Sequence, residues 1–154
     1  MSEKHYLTPE GAERMREELD QLKGPGREEM AQRLRAAIEG GDLSENADYH
    51  KAKEDQGFLE GRIQELEYLL EHSLIIVNNG THYTVDLGAK ITIQEAEYPP
   101  DTYLVVGAKE ADPQNGRISN ESPIGRALMG KKKGDTVKVS TPGGDVIIKL
   151  LNVK

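Results

Sequence analysis

The residues best suited to chemistry stand in one short run, Gly40-Gly41-Asp42-Leu43-Ser44-Glu45-Asn46. Two carboxylates three positions apart share a face wherever the backbone is helical or nearly so. Carboxylate oxygens are the hard donors that Mg²⁺ prefers, and Mg²⁺ keeps several waters besides its protein ligands. Asp42 and Glu45 can therefore contribute to a magnesium site, but two acids alone hold that ion poorly, so a partner has to complete it. The same spacing also matches a capping box, with Asp42 accepting from backbone amides and Glu45 reaching back. Acidic residues suit a helix N-terminus in any case, because its dipole is positive there. The two readings compete, since a carboxylate tied into a cap is less available to a cation.

Other reactive side chains form no comparable group. His5, His50, His72 and His82 are scattered without zinc-like spacing. No Gly-x-Ser-x-Gly motif occurs, and the absence of Cys rules out thiolate metal sites, disulfides and a cysteine nucleophile. Lys131-Lys132-Lys133 reads first as a solvated basic turn and second as a docking contact. Arg33, Arg35, Lys51 and Lys53 lie near the acidic run, where pairing with neighbouring Glu and Asp is the first reading. Guidance of a nucleic-acid strand is the second. Tyr49 falls on an apolar seam, so packing comes first for it and stacking on a base second.

The elements that must position the acids are helical. Thr8-Pro9 predicts a helix start, with Thr8 as N-cap and Pro9 in the first turn. Apolar residues recur at Met15, Leu19 and Leu22 and resume at Met30, Leu34 and Ala37. The step from Leu22 to Met30 is one residue longer than a heptad and coincides with Gly24-Pro25-Gly26, which predicts a kink or short break. Tyr49, Ala52, Gln56, Leu59, Ile63, Leu66 and Leu70 form a second heptad seam over residues 47–73. Gly40-Gly41 between the two stretches permits a tight reversal. The expected product is an antiparallel coiled-coil hairpin over residues 1–75, with the acids at its tip.

From Leu74 onward the period changes to short β-type runs at Leu74–Val77, Ala89–Gln94, Tyr103–Val106, Thr136–Ser140 and Val146–Val153. Asn78-Asn79-Gly80, Pro99-Pro100-Asp101, Asn115-Gly116 and Pro142-Gly143-Gly144-Asp145 separate them as turns. One helical stretch, Ser122 to Gly130, carries a Ser cap, a Pro at its first position and a closing Gly. Residues 76–154 thus read as a small α+β domain, and the fold class of the whole chain as α+β.

The charge is unevenly shared: residues 1–73 carry a net −8 and residues 74–154 a net +1. An acidic hairpin argues against independent, tight binding to a nucleic-acid backbone, which Lys and Arg drive. The apolar runs are too short to cross a membrane, and the first residues lack a signal-peptide pattern. The expectation is a cytoplasmic protein without membrane contact.

Gly41 to His50, with Gln56-Gly57-Phe58-Leu59-Glu60-Gly61-Arg62-Ile63, closely resembles the coiled-coil tip of the bacterial Gre transcript-cleavage (elongation) factor family, of GreA type. The resemblance continues at Ile118-Ser119, Ser122 to Lys131 and Thr141 to Asp145, and Thr8-x-x-Gly11 with Leu19 and Leu22-Lys23 matches the family's opening. It spans nearly the whole chain in order.

That resemblance implies a coiled-coil hairpin followed by a domain similar to FK506-binding proteins (FKBP-like). The partner it implies is bacterial RNA polymerase, with the globular domain on the rim of the secondary channel and the hairpin inside. The chain is then no enzyme itself. It stimulates the polymerase's own Mg²⁺-dependent hydrolysis of the transcript in backtracked complexes, a transcription-elongation role. Asp42 and Glu45 become the metal-binding pair, with Mg²⁺ shared with the polymerase. Asn46, Tyr49 and Lys53 lie nearest the nascent RNA 3′ end, and Ser122, Pro123, Lys131 and Lys132 serve docking. Gly24-Pro25-Gly26 and Ile38 depart from the family, which tends to carry basic residues there. The alternatives are a non-cleaving inhibitor of the same channel and an FKBP-like prolyl isomerase or chaperone.

Overall fold

A computed structural model describes residues 4–42, 45–76 and 82–154. Leu43 and Ser44 of the acidic run, Val77 of the first β-type run and the Asn78-Asn79-Gly80 turn lie outside those residues. The chain divides into two compact units, one of Ala12–His72 and one of Met1–Gly11 with Ser73–Lys154. The globular unit thus takes in Met1–Gly11 as well as the residues from Ser73 on. Strand β1, Tyr6–Leu7, pairs in parallel with β2, Leu74–Ile75. The Leu74 and Ile76 amides donate to the His5 and Leu7 carbonyls at 2.9 and 2.8 Å. This pairing draws the N-terminal segment into the globular unit.

Helix α1 runs Pro9–Gln21, α2 Arg27–Glu39 and α3 Ala47–His72. No break separates α1 from α2. Leu22–Gly26 forms a π-helical turn with Pro25 inside, flanked by right-handed helical dihedrals at Gln21 and Arg27. The Arg27 amide reaches the Leu22 carbonyl five residues back. A π turn accommodates one extra residue in a helix. That is the slip seen between Leu22 and Met30, so the expected short break is replaced by a bulge that returns the stripe to register.

Cross-helix ion pairs show that α2 and α3 run antiparallel. Lys23 pairs with Glu67 at 3.2 Å, Arg27 with Glu60 at 3.0 Å and Arg33 with Asp55 at 2.8 Å, one number rising as the other falls. Arg27 grips Glu60 with two guanidinium nitrogens, at 3.0 Å each. Exposed pairs add little stability singly, but they specify register. Ala37, Ala52, Ile63 and Leu66 are buried, as the seams predict, and Leu69 joins them.

The globular unit is a five-stranded curled sheet in the order β5-β4-β3-β7-β6, comprising β3 Lys90–Glu95, β4 Asp101–Val106, β5 Arg117–Ser119, β6 Thr136–Thr141 and β7 Gly144–Val153. All neighbours pair antiparallel except β4 with β5. Alternate residues face the core, Ile91 and Ile93 on β3, Val137 and Val139 on β6, Ile148 and Leu150 on β7. Helix α4, Pro123–Leu128, covers this face with Ile124, Ala127 and Leu128. The molecule is thus a mixed α+β chain with an N-terminal helical hairpin.

Candidate functional site at the hairpin tip

The tip is shaped by how two helices end. Helix α2 stops at Glu39, where the Gly40 amide donates to the Ala37 carbonyl at 3.1 Å. Gly41 follows at φ +127°, a conformation that disfavours any side chain with a Cβ. Helix α3 does not begin until Ala47, and its cap is Asn46. The Asn46 Oδ1 accepts the Tyr49 amide at 3.0 Å, and the His50 amide donates to the Asn46 carbonyl at 3.1 Å. An acceptor for the third helical amide is what an N-cap supplies.

This arrangement overturns the capping-box reading of Asp42 and Glu45. A box needs Asp42 directly before the first helical residue, yet it stands five positions ahead of Ala47, and Glu45 precedes the cap. Both acids are exposed and line one shallow concavity with Gly40, Asn46, Ala47 and Asp48. Asp48, which the sequence reading did not single out, repeats the three-residue spacing, and that periodicity was the signal for it. Among the described residues no three His, Cys, Asp or Glu side chains form a group able to hold a metal ion. Hard oxygens from Asp42 and Glu45 fit Mg²⁺ as a partial ligand set.

Asn46, expected near RNA, has both ends of its amide engaged inside the hairpin, because its Nδ2 also donates to the Ala37 carbonyl at 2.5 Å. Tyr49 is half-buried, with its ring edge-on to His50 at 5.7 Å. Lys53 is exposed and donates to the Gln56 side chain at 3.1 Å. Arg33 and Lys51 converge on Asp55, as charge pairing predicts. The hydrogen bond from Arg33, then those of Lys51, outweigh desolvation and hold the Asp55 carboxyl below its ordinary range. Arg35 is exposed and has no ion pair among the described residues.

The four residues assigned to docking flank α4, Ser122 and Pro123 at its start and Lys131 and Lys132 after its end, away from the acids in sequence and in the other unit. Ser122 caps α4: its Oγ accepts the Gly125 amide at 3.1 Å and donates to the Ser119 carbonyl at 2.7 Å. Pro123, Lys131 and Lys132 are exposed. Sequence reasoning missed Glu110, a buried carboxylate that accepts from the Thr8 amide at 2.9 Å and from the Thr8 hydroxyl. Nothing local announces that contact, which joins residues 102 positions apart.

Known proteins are similar to this sequence over nearly its full length. A family model for the transcription elongation factor N-terminal region matches residues 5–75, and one for the GreA/GreB C-terminal region matches residues 80–154. Transcription elongation factor GreA of Bacillus cereus strain AH187 is 43% identical over 156 residues, covering 99% of both chains. That of Roseiflexus castenholzii is 43% identical over 151 residues, covering 97% of this chain and 96% of the relative. Among solved structures, the GreA factor homolog 1 protein of Thermus thermophilus is 25% identical, covers 99% of both chains and superposes with a TM-score of 0.45. With both family models matched in order and near-complete coverage by GreA proteins, the chain belongs to the GreA/GreB family of transcription elongation factors, of the GreA type.

Proposed function

We propose that this elongation factor docks on bacterial RNA polymerase through its globular unit and carries Asp42 and Glu45 down the secondary channel to the active site. There it stimulates hydrolytic cleavage of the transcript in backtracked complexes. One observation carries the reading: the two acids are exposed at the tip while Asn46 caps α3. The carboxylates would hold Mg²⁺ jointly with the polymerase. Bound there, that ion supplies positive charge that makes water more acidic and offsets charge developing on phosphate oxygens. The chain contributes oxygens and their placement, and the polymerase contributes the remaining ligands and the RNA, so the factor is no enzyme alone.

Exposed Lys53 and half-buried Tyr49 stand on the first two turns of α3, where they can meet the extruded RNA 3′ end. The net −8 of residues 1–73 argues that the polymerase, not this chain, holds the nucleic acid. Pro123, Lys131 and Lys132 offer an exposed docking surface whose shape Ser122 maintains from within. A cytoplasmic site of action accords with this role; no helix among the described residues is long and apolar enough to cross a membrane. The isomerase alternative wants an aromatic-lined pocket, whereas Tyr83 and Tyr98 point to solvent at 85% and 67% exposure.

The test is a halted bacterial elongation complex carrying labelled RNA, incubated with the chain with and without Mg²⁺. Stimulated cleavage that requires Mg²⁺ is expected. Polymerase binding without any cleavage would favour the inhibitory alternative and end the proposal.

A further inference from the structure

The Asn46 amide makes two bonds that few side chains can combine. Its oxygen accepts the Tyr49 amide at the start of α3, and its nitrogen donates to the Ala37 carbonyl at the end of α2. The last carbonyls of a helix and its first amides are left without helical partners, and one half-buried side chain here serves both ends. The bonding also fixes the amide's orientation, since a flipped Asn46 would face carbonyl with oxygen and amide N–H with NH₂. The chain from Ala37 to Asn46 is thereby closed into a loop that contains Asp42 and Glu45, with Glu45 directly bonded to the clamp residue.

We infer that Asn46 is a positioning residue, which locks the ends of α2 and α3 together so that the Asp42 and Glu45 carboxylates are held in one arrangement for their shared ion. The inference rests on the reading under Proposed function. Its chemistry is selective: a carboxylate or a hydroxyl can accept the Tyr49 amide, but Asp has no donor when ionised and Ser is too short to reach the other helix. Asn46→Asp and Asn46→Ser therefore keep the helix cap and break the cross-helix bond.

Both variants, with Asp42→Ala and Glu45→Ala alongside, are measured on halted elongation complexes and as free full-length proteins. Expected for Asn46→Asp and Asn46→Ser are wild-type helicity and competition for polymerase within about twofold. Cleavage at saturating factor should be at least about tenfold slower, as small misplacements of reacting groups cost, and the half-saturating Mg²⁺ concentration should be higher. Hydrogen exchange in the free protein should rise over residues 38–42 and stay unchanged beyond residue 55. Wild-type exchange over residues 38–42 would overturn the clamp whatever the cleavage result. Wild-type cleavage rates and Mg²⁺ dependence in both variants, with Asp42→Ala and Glu45→Ala inactive, would overturn the positioning role and leave the proposed function standing. Cleavage by Asp42→Ala and Glu45→Ala at the wild-type rate would instead remove the proposed function, and the positioning role with it.

Discussion

Two sets of carboxylates have opposite surroundings, one beside the root of α1 in the globular unit and one at the hairpin tip. At the root, Glu110 is 6% exposed, and Thr8 donates to it from both its amide and its hydroxyl. The Thr8 Oγ1 in turn accepts the Gly11 amide at 3.0 Å, so the buried acid orients the cap that starts α1. At the tip, the cap of α3 is a neutral amide, and Asp42 and Glu45 are exposed. A buried carboxylate persists only when hydrogen bonds replace its hydration, and Glu110 spends its oxygens that way. A carboxylate meant to meet a cation elsewhere has to keep solvent access. The root acid is therefore committed to the fold, and the tip acids keep the solvent access that the proposed role requires.

Exchanging acid for amide at each place breaks this contrast most sharply. Asp42→Asn with Glu45→Gln is expected to lower stimulated cleavage by about 100-fold or more, the scale set by removing a charge-stabilising group, while the thermal midpoint of the free protein stays near wild type. Parallel loss of both would contradict the division. Glu110→Gln is expected to do the reverse. It faces two donors with only one acceptor, and an unsatisfied buried group costs about 1–3 kcal/mol, read as a lower urea midpoint for the globular unit. Equal stability would show that the root acid is dispensable.

Gly11→Ala sharpens the root further. Alanine normally stabilises a helix over glycine by about 1 kcal/mol. Here its Cβ would collide with the Glu110 carboxylate, so destabilisation by about 1–3 kcal/mol is expected in denaturant titration. A gain in stability would refute the close approach. The smallest effect concerns the hairpin shaft. Asp55 has its pKa lowered by Arg33 first and Lys51 second, so its contribution is present above the unfolded value, near 3.9, and is lost as pH falls through the lower folded value. Thermal midpoints between about pH 5 and pH 3 should fall slightly less for Asp55→Asn than for wild type. Identical slopes would dismiss the ion pair.

Much of this molecule was legible in its residues. The seam from Ala52 through Ile63 and Leu66 is buried because heptad spacing keeps those positions on one face. Thr8-Pro9 and Ser122-Pro123 both start helices as their types dictate. β1 and β5 escaped notice because strands of two and three residues carry no periodicity, and their pairing partners are distant in sequence. The extra residue near Pro25 was visible, but spacing does not distinguish a broken helix from a π turn. The cap of α3 stayed open for a related reason: Asp42 and Asn46 are both good cap residues, and local rules alone do not choose between them.

By itself the sequence determined the two periodicities, the family, and the placement of two acids between two helices. These depend on local propensity and on side chains within a turn or two of one another. The tertiary structure decided which side chains were committed. Ala37 had to approach Asn46 before the amide could cap two helices, and Glu110 had to reach Thr8 before a carboxylate could be stably buried. A hydrogen bond forms only within about 3 Å, and for groups this far apart along the chain that distance is a property of the fold.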